Sequence, residues 1–249
     1  MTEPHRYFFV HMMRTAGSVL RARLLNHFGE AAVYPTRRDG TDPLTPYLLI
    51  DHLLERLAAR GDQIRVISGH FPLCTTELID GRCTTLTLLR EPVERTLSYL
   101  RGQREIERAD RDKTLEEIYD DPVRFHRVVH NHMTKMLSLT PVEMTDGMLT
   151  HVEFNRGHIE RAKEALSGID AVGLQEHFED YCDELGARFG WHLREPETVN
   201  TSASVEVPDS LRARIAEDNA FDIELYEFAK KLLVTDDQPG GVEIAGVEQ

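Results

Sequence analysis

The sequence predicts an α/β fold: a central, mainly parallel sheet flanked by helices, in three layers. Three observations carry this. Short apolar or β-branched runs at 6–10, 64–68, 84–89 and 170–174 alternate with longer segments of helical periodicity. The first run opens a strand–tight loop–helix unit, the building block of a parallel sheet covered on both faces. The 249 residues, 41% of them hydrophobic, suffice for one core, and no internal repeat suggests an array.

Each element follows in order. Residues 6–10 read RYFFV, and after a loop 18–28 place Val19, Leu20, Leu24 and Phe28 at helical spacing. Residues 29–46, rich in Pro, Gly, Asp and Thr, read as loop. A helix over 47–60 carries Leu48, Leu49, Leu53, Leu54 and Leu57 on its apolar side. Strands follow at 64–68 (IRVIS) and 84–89 (TTLTLL). Pro92 suits a first helical turn, so a helix runs from there to about 108. Further helices are predicted over 115–119, 123–137 and 155–166. A strand spans 170–174, then a helix over 176–189 aligns Phe178, Cys182, Leu185 and Phe189. Helices over 210–219 and 222–233 close a single domain, 1–234. The acidic, glycine-containing stretch 235–249 is predicted to be a disordered tail.

The net charge of −14 argues against a general nucleic-acid binder, which needs a broad basic surface. A small anionic ligand remains compatible, because a local group of donors suffices on an acidic protein. Three widely spaced cysteines, Cys74, Cys83 and Cys182, read as reduced thiols rather than a disulfide framework. The N-terminus lacks the layout of a secretory leader, and no apolar run approaches the ~18 residues of a membrane helix. The expectation is a cytoplasmic, soluble protein without stable membrane insertion.

Two segments carry chemistry. The first is the turn after the first strand, His11-Met12-Met13-Arg14-Thr15-Ala16-Gly17-Ser18-Val19. Small residues at the mouth of a helix leave N–H groups open to an anion, and the helix dipole favours negative charge there. An ATP-binding P-loop would place Lys between Gly17 and the following Ser18; here the cation comes earlier, at Arg14. By itself the turn equally fits an ordinary strand-to-helix connection with a surface arginine. The second is Leu89-Arg90-Glu91-Pro92-Val93-Glu94-Arg95-Thr96-Leu97-Ser98-Tyr99. Arg90 stands at the carboxyl end of a strand, where open α/β sheets bind ligands, and Ser98 lies about two turns into the next helix. An arginine fork with a hydroxyl can hold a phosphate. The plainer alternative pairs Arg90 with Glu94 or Glu91.

Taken together and in this order, the two segments resemble sulfotransferases dependent on 3'-phosphoadenosine 5'-phosphosulfate (PAPS). The similarity is to the carbohydrate branch that includes heparan sulfate 2-O- and 6-O-sulfotransferases and their bacterial relatives. HMMRTAGSVL is similar to that family's H-I-P-K-T-G-G-T-S-L, and LREPVERTLSY to its L-R-[DE]-P-x-x-R-x-x-S-x-Y. Ser68-Gly69-His70-Phe71-Pro72 resembles a G-H-F-P segment. NHMTKML at 131–137 and VGLQEHF at 172–178 resemble two later stretches. The resemblance spans about residues 6–230 and implies a P-loop-like three-layer fold.

What the resemblance implies is specific. The N–H groups of Thr15, Ala16, Gly17, Ser18 and Val19, with the Thr15 and Ser18 hydroxyls, would cradle the 5'-phosphosulfate. Arg90 and Ser98 would hold the 3'-phosphate. Arg14 replaces the lysine that neutralises the leaving phosphate, and His70 matches the general base. PAPS would donate the sulfuryl group, PAP would leave, and no metal would be required. The acceptor would be a hydroxyl of a glycan, glycolipid or small alcohol. Two departures, Arg for Lys at 14 and Ala for Gly at 16, bear on rate more than on fold.

The alternatives are a P-loop nucleotide kinase, which lacks its lysine here, and a non-catalytic PAPS- or nucleotide-binding module. His11, or a carboxylate on the acceptor side, is the rival base. His126, His130 and His132 suggest a metal only superficially, since HRVVH lacks the glutamate of H-E-x-x-H. The run Arg101, Arg104, Arg108, Arg111 and Lys113 is interleaved with acids and reads as a solvated helix face.

Overall fold

The computed structural model describes residues 5–40, 42, 44–193 and 207–236. Among these residues five strands, β1 (Arg6–Val10), β2 (Val33–Tyr34), β3 (Val66–Ile67), β4 (Cys83–Leu89) and β5 (Ala171–Leu174), form one sheet in the order β2-β3-β1-β4-β5. Every pairing is parallel, with Tyr7 opposite Val66 and Phe9 opposite Leu86. The sheet is thus fully rather than mainly parallel. The helices are α1 (Gly17–Phe28), α2 (Thr45–Leu48), α3 (Ile50–Arg60), α4 (Pro92–Ile106), α5 (Leu115–Tyr119), α6 (Pro122–Arg124), α7 (His132–Ser138), α8 (Arg156–Ser167), α9 (Phe178–Phe189), α10 (Asp209–Asp218) and α11 (Ala220–Asp236).

The period of two sorts β1 into both cores. Phe8 and Val10 pack with Leu53, Met133, Met136, Ile159 and Leu225 of the helices on one face. Phe9 packs on the other face with Leu20 and Leu24 of α1 and Tyr181 and Leu185 of α9. A strand buried on both sides reads as a continuous apolar run, as RYFFV does. A satellite core joins Leu97 and Leu100 of α4 to Ile118 of α5 and Ile215 of α10.

Three departures from the expected elements have local causes. The helix expected over 47–60 breaks at Leu49, whose backbone is extended. There the Tyr47 carbonyl accepts the N–H of His70 at 2.8 Å and is drawn out of the helical ladder. The helix expected over 123–137 breaks at Asn131, which adopts φ 45°. Its N–H donates to Asn219 Oδ1 (2.8 Å), and its own side-chain oxygen accepts the N–H groups of Phe221 and Asp222 (3.1 Å each). β2 falls inside the stretch expected to be loop; two residues at a sheet edge offer no periodicity to read. Helix α11 continues through Asp236, past the expected domain end at 234, and the rest of the expected tail, 237–249, lies outside the described residues.

Because all strands are parallel, their carboxyl ends share one edge of the sheet. The segment 11–16, the turns after Tyr34, Ile67 and Leu89, and Gln175–His177 all open there. β2 and β3 lie to one side of β1, β4 and β5 to the other, so the winding direction changes at β1. Open α/β sheets bind ligands at such a reversal.

Candidate functional site

The segment between β1 and α1 has a backbone form able to receive an anion. Arg14 (φ 68°) and Ala16 (φ 64°) are left-handed, with Thr15 between them at negative φ. Alternation of this kind turns successive N–H groups toward one concavity. Among the described residues, the N–H groups of Arg14, Thr15, Ala16, Gly17 and Ser18 donate to no protein acceptor; the next two, Val19 and Leu20, both return to the Ala16 carbonyl. The concavity lies at the N-terminus of the twelve-residue α1, whose first turn holds no acidic side chain. Ser18 and Val19 are exposed, whereas Thr15 is buried and its hydroxyl donates to the Met12 carbonyl at 3.1 Å. Thr15 therefore presents its N–H and not, as expected, its hydroxyl.

Gly17 is needed for a different reason. A Cβ there would lie 2.1 Å from Cδ2 of His11, whose ring fills the space behind the turn. His11 is buried, stacks on Phe9 (5.2 Å between centroids) and donates Nδ1–H to the Ser68 carbonyl at 3.1 Å. Burial first, then the neighbouring His70, holds its imidazole well below the ordinary histidine range. His11 thus supports the turn, and its burial argues against the rival-base role.

His70, on the turn after β3, sits 4.3 Å from His11 ring to ring. Its Nδ1 is 2.8 Å from the His11 carbonyl. A carbonyl can only accept, so Nδ1 carries the proton and Nε2 keeps its lone pair. No protein group among the described residues bonds Nε2. Burial lowers the His70 pKa; the bond to the His11 carbonyl opposes this, and Arg21 adds to it. The result is a half-buried, neutral imidazole oriented to accept a proton.

The two sequence segments meet. Arg90 Nη1 donates to the Arg14 carbonyl at 3.2 Å, and Arg14 Nε donates to Ser98 Oγ at 3.1 Å. The guanidinium of Arg14 lies against Gly102 of α4, at 3.1 Å from where a Cβ would stand. So Arg14 points along α4 and not over the mouth of α1. Arg90 is not tied to Glu91, which instead caps α4 through the N–H groups of Val93 and Glu94. Burial lowers the Arg90 pKa, Glu94 and Glu176 oppose this, and the like charges of Arg14 and Arg101 add to it.

Two further arginines lie near this edge, of which the sequence singled out only Arg101, as part of a basic run. Arg21 stands one turn beyond Gly17, stacks on Tyr47 (5.1 Å) and donates to the Pro35 carbonyl. Arg101, expected on a solvated face, is only 21% exposed. Spacing held the available signal: i+4 from Gly17 for one, i+3 from Ser98 for the other.

Among the described residues, no group of three His, Cys, Asp or Glu could hold a metal ion. His126, His130 and His132 do not converge on one: His132 is wholly buried and accepts the Met13 N–H at 3.2 Å, while His130 stacks on Phe125. No helix among the described residues is long and apolar enough to cross a membrane. The chain matches no family model and no curated protein.

Proposed function

We propose that the chain is a PAPS-dependent sulfotransferase that moves a sulfuryl group to an acceptor hydroxyl. The observation that carries the reading is the run of five undonated N–H groups at 14–18, joined through Arg14 to Arg90 and Ser98. It offers two anion-holding corners on one strand edge, suited to a nucleotide with phosphate at both ends. A cytoplasmic location belongs to the same reading, supported by three thiols that are all free.

In this mechanism the acceptor oxygen attacks sulfur as the sulfur–oxygen bond to the 5'-phosphate breaks, and PAP departs. The acceptor proton passes to Nε2 of His70. The N–H groups of the turn receive the charge that develops on the leaving phosphate. Donors fixed before the reaction stabilise that charge without reorganising. Arg14, held on Ser98, bridges the corners. Its fork reaches the leaving group only by giving up the serine.

Thermal shift with PAP, PAPS, ATP and AMP tests the binding half. Strong stabilisation by the two 3'-phosphorylated nucleotides alone is expected. Equal response to ATP returns the kinase reading. Binding of PAPS without transfer of label to any of a panel of hydroxyl acceptors leaves a nucleotide-binding module.

A further inference from the structure

We propose that Val242-Glu243-Ile244-Ala245-Gly246-Val247, in the stretch that follows α11, docks as a sixth, parallel strand on the free edge of β5, in the groove between α9 and α11. The docking stands apart from the nucleotide reading above.

β4 pairs with β5 on one side, and among the described residues no strand pairs with it on the other. An open edge presents unpaired N–H and C=O groups and accepts a further strand. A groove of about 830 Å³ follows this edge, lined by Val172, Gly173 and Leu174 and walled on one side by Tyr226, Leu233 and Val234 of α11. The apolar wall is uncovered where α11 ends: Val234 is 69% exposed. Val172 and Leu174 point into the layer that holds α11, and Ala171 into the layer of α9. Side chains of a strand laid beside β5 sort into the same two layers.

The direction of α11 brings the occupant to the groove. α8 packs on the sheet through Ile159, Ala162 and Leu166 and joins β5 through residues 168–170, so it runs antiparallel to β5. α11 runs beside α8 in the same direction. Arg156 binds Glu224 at 2.6 Å near the start of both, and Lys163 lies 6.0 Å from the Phe228 ring further along. α11 therefore ends beside the start of β5, on the sheet face that α8 covers. A strand that follows α11 enters as β5 does after α8, parallel to its neighbour.

Residues 237–241, outside the described residues, read Asp237-Gln238-Pro239-Gly240-Gly241, a turn sequence. Six Cα–Cα steps from Asp236 to Val242 reach about 20 Å, against a layer depth on the order of 10 Å. From there Val242 and Ile244 fall on one face and Glu243 and Ala245 on the other. Val242 and Ile244 extend the row of Val172 and Leu174 and cover Leu233 and Val234. Both residue types suit a strand. Glu243 then stands toward Asp180 and Glu184 of α9, which line the opposite wall and are exposed. Repulsion between exposed charges is screened by salt, whereas apolar burial is not.

The experiment is hydrogen exchange at the amides of residues 171–175, read relative to residues 8–10 of the central β1. It uses the full chain, a chain ending at Asp236, Ile244→Asp and, as a control in the same stretch, Glu248→Gln. The full chain and the control should exchange these amides about tenfold or more slowly than the shortened chain and Ile244→Asp. A peptide of residues 237–249 added to the shortened chain should restore the protection. Raised NaCl should strengthen it, and dilution of the protein should leave it unchanged. Equal relative exchange in the full and shortened chains overturns the docking. Protection that grows with protein concentration gives the groove to a second copy and overturns it as well. Protection lost in high salt shows that charge rather than the apolar face holds the edge, and overturns the placing of Val242 and Ile244.

Discussion

The Nδ1–H of His70 and the main-chain oxygen of His11 are joined at 2.8 Å across two neighbouring strand ends. This bond does more than place a ring. It selects the tautomer whose free nitrogen, Nε2, can accept a proton. His11 in turn is held by Ser68 and packed on Gly17, so the His70 ring and the turn at 14–18 share one support.

The first prediction concerns acid. Burial shifts the His70 pKa below the ordinary value, so His70 stays neutral to lower pH than a free imidazole. The acid limb of kcat/KM should therefore lie below about pH 6.5, the unperturbed value. His70→Ala should lower kcat by about 10²–10⁴ and abolish that limb. A pH–rate profile on both proteins checks it; an unchanged limb in the variant gives the base to another group.

The second concerns two adjacent residues with opposite demands. Ala16 holds φ 64°, which costs an L-residue about 1–2 kcal/mol, partly offset in a glycine by its freer unfolded chain. Ala16→Gly should thus stabilise by up to about 1 kcal/mol, a rise of roughly 2–4 °C in Tm. Gly17→Ala should do the reverse. Its Cβ would overlap the His11 ring, and overpacking of this kind costs about 1–3 kcal/mol. Thermal denaturation of both variants, measured side by side, decides the pair.

The layering and the site corners were legible because their signals are local. RYFFV is a buried parallel strand by composition alone, and Arg90 and Ser98 fall at a strand end and two turns into a helix. What escaped depends on distant chain. Tyr47 ends α2 because its carbonyl goes to His70, 23 residues away, and Asn131 turns left-handed because Asn219 and Asp222 hold it. Arg101 was placed on a solvated face because interleaved acids normally mark one. The approach of Arg14 and Arg90 from other strand ends is invisible to a periodicity. The inward turn of the Thr15 hydroxyl is likewise set by the three-dimensional path of residues 12–15.

The third prediction concerns the latch between α7 and α11. Asp222 is fully buried and accepts the N–H groups of Met133 (3.0 Å) and Thr134 (2.7 Å), while Asn131 Oδ1 accepts from Asp222 and Phe221. Burial raises the Asp222 pKa, and the buried charge of Arg95 opposes this. Asp222→Ala should cost about 3–5 kcal/mol, since it strips Arg95 of its opposite charge and leaves two buried donors unpaired. Asn131→Ala should cost less. The double variant should fall short of the sum, because both residues serve one junction. Urea denaturation of the three variants gives the coupling, and strict additivity argues against a single latch.

The fourth concerns Lys135, whose Nζ is buried and donates to the carbonyls of Arg127 (2.6 Å) and Thr150 (3.2 Å). Burial, with the like charge of Arg95, pushes its pKa down to about 7. Above that pH the folded chain has released a proton that the unfolded chain keeps until about 10.4. The unfolded state then binds more protons, so stability rises with pH, by about 1 kcal/mol per unit between pH 7.5 and 8.5. The thiols work in the opposite direction: burial raises Cys74, Cys83 and Cys182 above their ordinary value, so their contribution is lost as pH climbs past about 8.5. Lys135→Met removes the first term and leaves the second. Across pH 7–8.5, wild type should therefore gain stability relative to Lys135→Met, whatever the offset between them. Parallel urea curves at each pH would show instead that the buried ammonium keeps its proton.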